Sequence, residues 1–197
     1  LSEKSRGFLD MAHRNGNKLL KMVTELLDFQ KVEQSAEQVR LQDIELPMLL
    51  RVQLEKFVLA AQEKHIQLCI ETCPQQQIHS DVKMMDLILE NLLSNAIKYT
   101  PKNSHIVIRT EKQGKQAIVS ISDDGNGIAD EIKPRIFDMF YSGANQIADS
   151  RRSLGLGLSL CKSIINAHGG ELTVSDNLPH GTVFTFTLPA GEVKVYE

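Results

Sequence analysis

The stretch from Asp81 to Pro101 constrains the fold more than any other part of the sequence. Asp81 can accept hydrogen bonds from the free amides of a first helical turn, and Pro101 prevents a helix from continuing. Because a helix turns about 100° per residue, its apolar residues share one face. They are Met85, Ile88, Leu89, Leu92, Leu93 and Ala96. Asn91, Asn95 and Lys98 lie beside that face in an arc of about 60°. Taken alone, these polar residues are equally consistent with a solvated helix face.

Composition limits the classes of function. The 197 residues are 42% hydrophobic and 24% charged, which suits a soluble chain with one core and an appendage. The net charge of -3 offers no basic field, so we expect no nucleic-acid partner. No apolar run approaches the roughly 20 residues of a membrane span, and no signal peptide is present. The three cysteines fit no zinc or disulfide spacing, as in reduced cytosolic proteins.

The first residue, Leu1, suggests a fragment of a longer protein. Because the cysteines form no disulfide framework and no signal peptide is present, we expect a cytoplasmic location for this part of the chain. Any membrane attachment would belong to segments outside this sequence.

The first part of the chain is predicted to form one long helix, from Ser2 to about Glu33. Its apolar residues alternate spacings of three and four, which is the seam of a coiled coil. They are Leu9, Ala12, Gly16, Leu19, Val23 and Leu26. A single helix cannot bury such a stripe, so we expect partner helices. The polar run 34–38 breaks the pattern and predicts two domains, 1–37 and 38–197.

The second domain alternates strands and helices, which predicts an α/β fold. Strands are expected around residues 39–44, 66–70, 106–110, 117–122, 171–175 and 183–188. Besides the central helix, an apolar helical face covers Leu50 to Ala61, and a helix follows at Ser159 to Ala167. The two strands on either side of Gly114 are predicted to form a hairpin. The polar segment from Tyr141 to Ser153 is expected to be a mobile loop.

The sequence contains two glycine motifs. The first follows a predicted strand, and the second lies between a predicted loop and a predicted helix. In Asp123-x-Gly125-x-Gly127, a carboxylate can accept a hydrogen bond from an exocyclic amine such as that of adenine, while glycines allow close ligand approach. Gly155-x-Gly157 precedes a helix whose free amides attract phosphate. Each motif alone is also typical of an ordinary turn or of tight packing. The second motif is neither a Walker A loop nor a dinucleotide fingerprint.

Together, and in this order, the motifs resemble the nucleotide-binding domain of a sensor histidine kinase. The N box corresponds to Asn91 to Thr100, the first glycine box to Asp123 to Gly127, the F box to Ile136 to Tyr141, and the second glycine box to Gly155 to Leu158. The resemblance covers about residues 39–189.

The flanking sequences extend the resemblance. The first helix, ending in Leu26 to Glu33, is similar to the second helix of the family's dimerisation and phosphotransfer domain. The run from Arg151 to Ser163 looks most like the potassium-responsive KdpD-type kinases.

The resemblance implies a fold and a ligand. The fold would be a two-layer α/β sandwich of the ATP-grasping type shared with gyrase, Hsp90 and MutL, with a mixed sheet and helices on one face. One long helix of a dimerisation bundle would precede it. The cofactors would be ATP and Mg²⁺, and residues 141–154 would form a lid over the phosphates.

The resemblance also implies residue roles. Asn95 would bind the Mg²⁺ that bridges the phosphates, and Asn91 would assist one turn earlier. Lys98 and Tyr99 would contact phosphate or ribose, and Asp123 would hold the adenine amine. The backbone near the base and at the lid hinge would come from Gly125, Gly127, Ile128, Leu154, Gly155, Leu156, Gly157 and Leu158.

The chain departs from the family pattern in two places. Arg152, Ser153 and Leu154 stand where further glycine usually opens the second glycine box, so an arginine could reach the γ-phosphate. The phosphoacceptor box is absent, and His13 lacks its sequence context. Glu90 points about 140° away from Asn95 on the helical wheel and is expected at the surface. We therefore assign no catalytic residue within this sequence.

The sequence is consistent with three functions. The first is the catalytic core of a histidine kinase, which would act as a homodimer through its first helix and pass phosphate to a response-regulator receiver domain. The second is a related ATPase, although such enzymes carry a water-activating Glu where Asn91 stands. The third is a non-catalytic nucleotide-binding dimerisation module.

Overall fold

The computed structural model describes residues 3–34, 40–74, 76–141 and 155–190. Its helices are α1 (Glu3–Gln34), α2 (Leu46–Glu55), α3 (Val58–Glu63), α4 (Val82–Tyr99) and α5 (Gly157–Ala167). Its strands are β1 (Gln42–Glu45), β2 (Gln67–Glu71), β3 (Gln77–Ser80), β4 (His105–Gln113), β5 (Gln116–Asp123), β6 (Leu172–Asp176) and β7 (Thr182–Pro189). The predicted domain boundary near residue 37, Leu154 and the predicted lid beyond residue 141 lie outside these ranges.

The strands form one large and one small sheet within the described part of the chain. The large sheet has the order β2-β4-β5-β7-β6. β2 runs parallel to β4, and the other neighbouring strands are antiparallel, so the sheet is mixed as expected. β1 and β3 pair separately as an antiparallel ribbon. The β4–β5 pairing, closed at Gly114 and Lys115, confirms the predicted hairpin.

The core lies between the large sheet and the helices α4 and α5. β7 alternates buried and half-exposed side chains, with Phe184, Phe186 and Leu188 buried. The predicted apolar face of α4 is entirely buried, since each of its six residues is at most 5% exposed. Burying one such side chain contributes about 1.5–3 kcal/mol, so this face secures α4 on the sheet. The two-layer α/β sandwich is therefore confirmed.

Both ends of α4 are where the sequence predicts them. The Asp81 carboxylate accepts hydrogen bonds from the backbone N–H groups of Lys83, at 2.9 Å, and Met84, at 3.3 Å. Thr100 is extended, and Pro101 follows it. A side-chain cap of this kind contributes about 1 kcal/mol. The positions of Asn91 and Asn95 are therefore set by two local signals and one apolar face.

The region between β1 and β2 differs from the prediction. The apolar face expected from Leu50 to Ala61 is divided into two helices at Lys56 and Phe57. There the backbone N–H groups bond three residues back, to Gln53 and Leu54, which ends the α-helical pattern. The interruption rotates the following helix, so Val58 is 39% exposed instead of buried.

α1 exposes the residues of its predicted seam. Leu9, Leu19, Val23 and Leu26 are 43 to 63% exposed. The helix contacts α5. No helix in the described ranges has both the length and the hydrophobicity needed to cross a lipid bilayer.

Candidate functional site

The N box and the second glycine motif meet where α4 passes the start of α5. The Nδ2 group of Asn91 donates a hydrogen bond to the Leu87 carbonyl at 2.8 Å, which fixes the carboxamide. A β-carbon built on Gly157 would collide with the Asn91 Oδ1 atom and lie 3.2 Å from its Cγ. Two motifs 66 positions apart are therefore in direct contact, and a larger residue at position 157 would have to displace the Asn91 carboxamide.

The other end of α4 meets the first glycine motif. A β-carbon on Gly125 would lie 3.2 Å from the Tyr99 carbonyl oxygen and 2.5 Å from Asp123 Oδ1. The Gly125 N–H donates a hydrogen bond to the same Oδ1 atom at 2.8 Å. Glycine at position 125 thus lets the loop fold back onto its own carboxylate while it contacts the last turn of α4.

Asp123 is a buried carboxylate, only 4% exposed, at the end of β5. Burial raises the pKa of its carboxyl group, the backbone hydrogen bonds from Gly125 and Thr182 oppose that rise, and the charge of Asp124 adds to it. A carboxylate has about four acceptor positions, and the two backbone amides leave some of them free. Asp123 can therefore accept a hydrogen bond from an amine group of a ligand.

Sequence reasoning missed Thr182. The pairing of β5 with β7 places this residue directly opposite Asp123, where it is 6% exposed. Asn177 supports the same corner, because its Nδ2 group donates to the Asp123 carbonyl at 3.1 Å. The proximity of Thr182 to Asp123 could have been predicted only from the strand register, since 59 positions separate the two residues.

The remaining N-box residues continue along the same edge of α4. Asn95 is half-buried, and its carboxamide makes no hydrogen bond within the part of the chain that the structure describes. The Lys98 Nζ atom donates to the Tyr99 hydroxyl at 3.0 Å and lies 4.7 Å from the centre of its ring. Asn91 to Tyr99 spans about 12 Å along the helix axis. This edge therefore offers one oxygen and one ammonium group between the two glycine motifs.

The second glycine motif holds two distant segments together at the start of α5. A β-carbon on Gly155 would lie 2.5 Å from the Tyr141 carbonyl oxygen, so these two residues touch. α5 begins without a side-chain cap, which leaves its first amides available to an anion. Leu156 is 1% exposed, and Leu158 and Ile128 pack against the core. These three residues can contribute only backbone groups or apolar contact to a ligand.

The donor set suits a magnesium ion only if a ligand supplies further oxygens. Within residues 3–34, 40–74, 76–141 and 155–190, no group of three or more His, Cys, Asp or Glu could hold a metal. Mg²⁺ prefers oxygen ligands and retains several waters, which suits the free Asn95 oxygen together with phosphate oxygens. The residues present thus fit Mg²⁺ bound as a nucleotide complex.

We expected no catalytic role for Glu90 or His13, and both side chains are exposed. Glu90 is exposed on α4. His13 is exposed on α1, where one ring nitrogen lies 3.0 Å from the Asn17 carboxamide.

Comparison with known proteins identifies the family. Residues 80–192 match the model described as "Histidine kinase-, DNA gyrase B-, and HSP90-like ATPase". The chain belongs to this family. The matched region begins at the last residue of β3, continues through β7 and includes every described residue of the site.

Individual relatives narrow the resemblance. The chain is 40% identical over 112 residues to the sensor protein KdpD of Clostridium acetobutylicum, covering 57% of this chain and 12% of that protein. Among solved structures, full-length ShkA in complex with AMPPNP superposes with a TM-score of 0.83 at 26% identity, covering 98% of this chain and 40% of that one.

A further structure supports the same conclusion. The histidine kinase ThkA in complex with the response regulator TrrA gives a TM-score of 0.78 at 26% identity, over 97% of this chain and 53% of that one. The chain thus spans only part of the length of each of these proteins. The resemblance to the nucleotide-binding domain of sensor histidine kinases is confirmed.

Proposed function

We propose that the chain is the ATP-binding core of a sensor histidine kinase, which transfers the γ-phosphoryl group of ATP to a histidine outside this sequence. One observation carries the proposal: α4 touches both glycine motifs, at Asn91 and Gly157 and again at Tyr99 and Gly125. A ligand between the motifs would meet an amine acceptor at one end and free helix amides at the other. This polarity matches adenine at Asp123 and phosphates at α5.

The residue roles follow from that orientation. Asp123 would accept from the adenine amine, with Thr182 beside it. Asn95 would supply an oxygen to Mg²⁺, with Asn91 assisting, and Lys98 would face the phosphates or ribose. The bound Mg²⁺ would neutralise phosphate charge, while the side chains of this chain position the nucleotide.

The partners of the whole protein are proposed from its relatives. The ThkA structure contains a response regulator, and we infer that this chain also serves a receiver domain. The exposed seam of α1 supports a homodimer. The 40% identity to KdpD favours the KdpD type within the family. A cytoplasmic location of this part of the chain fits the same assignment.

Asn91 argues against the ATPase alternative. Its Nδ2 group is held by the Leu87 carbonyl, and its oxygen faces Gly157. A carboxamide cannot take a proton from water as a carboxylate can. The site is therefore better suited to holding ATP for transfer than to hydrolysing it.

Calorimetric titration tests the nucleotide site. We expect the chain to bind ATP·Mg²⁺ with a micromolar dissociation constant, roughly -8 kcal/mol of binding free energy. Asn95→Ala should weaken binding about tenfold in Mg²⁺ and change it little in EDTA, because the lost oxygen acts on the metal. The matched control is Asn166→Ala, an exposed asparagine on α5. Absence of ATP binding under all conditions would reject the proposed function.

Light scattering tests the dimer. We expect a dilute solution to give the mass of two chains, because Leu9, Leu19, Val23 and Leu26 lie along one exposed stripe of α1. Replacing Leu19 and Val23 by glutamate should give single chains, since two buried charges would oppose pairing. Wild-type chains that remain single at high concentration would contradict this interface.

A further inference from the structure

The last turn of α4 is held by a lysine from another element. Lys64 follows α3, and its Nζ atom lies 2.6 Å from the Ile97 carbonyl, 3.3 Å from that of Lys98 and 2.7 Å from that of Thr100. Carbonyl groups in the final turn of a helix lack intrahelical partners. A cation there also interacts favourably with the helix dipole. The Lys64 ammonium group therefore caps the C-terminus of α4.

The same turn forms one wall of the proposed adenine site. The Tyr99 carbonyl lies between the capped carbonyls and points to Gly125. The Gly125 N–H in turn donates to Asp123 Oδ1 at 2.8 Å. A continuous series of contacts thus runs from Lys64, through the final turn of α4, to the carboxylate that would hold the base.

Local signals do not fix this turn completely. Pro101 stops the helix but cannot donate to a free carbonyl. The Thr100 hydroxyl is buried and has no hydrogen-bond partner in the described structure. The position of Tyr99 relative to Gly125 therefore depends on a contact made from outside the helix, and Lys64 supplies it.

We propose that Lys64 is a positioning residue for the nucleotide, one that holds the Tyr99 turn against Gly125 before ATP binds. The inference rests on the proposed function, because it assumes a nucleotide at Asp123. Without the ammonium group the turn would move more freely, and ATP binding would have to order it. Lys64 itself contacts no part of the ligand.

Titration with ATP·Mg²⁺ of wild-type, Lys64→Met and Lys64→Arg chains tests the proposal. Methionine keeps the apolar stem but removes the donors, so we expect ATP affinity to fall about 5- to 20-fold. Arginine keeps N–H donors at the same place, and its affinity should return to within about threefold of wild type. If Lys64→Met does not fold, as judged by circular dichroism, Lys64→Gln replaces it with the same expected direction.

Leu188→Val is the stability control. Leu188 is buried at the far end of β7, paired with Ala117, and lies about 20 Å along the strand from Thr182. Its ATP affinity should equal that of wild type below the melting transition. Equal affinity of Lys64→Met and wild type would overturn the proposal, as would an equal loss in Leu188→Val or no recovery in Lys64→Arg. If wild type itself binds no ATP, the proposed function fails instead.

Discussion

Replacing Asp123 by asparagine should weaken ATP binding about 100- to 1000-fold. The carboxylate already accepts from the N–H groups of Gly125 and Thr182, and the adenine amine would be a third donor. Asparagine has a single acceptor oxygen, and its own amino group would face one of these donors. The change removes a hydrogen bond to a charged group and leaves a buried donor unpaired, about 3–4 kcal/mol in all. Calorimetric titration measures the loss.

The neighbouring carboxylate provides a matched control. Asp124 carries the same charge, but its Oδ2 atom accepts from the His105 backbone N–H at 2.9 Å. Asp124→Asn should therefore change ATP affinity less than about threefold, since this half-buried side chain is bound to His105 and asparagine can still accept from the His105 N–H group. Comparable losses in the two variants would mean that net charge, and not the adenine contact, controls binding.

The pH dependence of Asp123 has opposite signs for stability and for binding. Burial raises the pKa of this carboxyl group. Between its ordinary and raised pKa the folded chain holds more protons than the unfolded chain, so the contribution of Asp123 to the free energy of unfolding decreases as the pH rises. ATP affinity instead decreases as the pH falls through the raised pKa, because the adenine amine needs an ionised acceptor. Asp123→Asn should remove both dependences.

Helix α4 could be predicted because the signals that define it are local. Asp81, Pro101 and the spacing of apolar residues act within one segment, and the structure reproduces both ends and the buried face. The paired asparagines were ambiguous on the helix alone. They became informative only when the glycine motifs were considered with them.

The parts that were missed depend on contacts between distant segments. Thr182 reaches Asp123 through the register of β5 and β7, and Lys64 reaches α4 through the packing of α3. Neither residue stands out by type or spacing, since lysine and threonine are common at such positions. The break between α2 and α3 was missed for a related reason. Apolar spacing continued across Phe57 although the backbone turned there.

Gly181→Ala should be the most destabilising single substitution at the site, at about 3–5 kcal/mol. Gly181 has φ of 119°. Its added β-carbon would collide with the Asp123 carbonyl oxygen and lie 2.9 Å from the carbonyl carbon and 3.1 Å from Asp124 Cα. Backbone atoms cannot rotate away, so β7 must separate from β5 where Thr182 faces Asp123. Thermal unfolding followed by circular dichroism should show a decrease of about 10 °C.

Gly114→Ala separates steric collision from backbone strain. Gly114 also has positive φ, 59°, but a β-carbon there meets nothing within 4 Å. The strain of a left-handed alanine alone costs about 1 kcal/mol, so its melting temperature should fall by only a few degrees. Equal melting temperatures of the two variants would show that β7 accommodates the alanine at position 181. If Gly181→Ala then also binds ATP while folded, the close contact between Gly181 and Asp123 is not needed for binding.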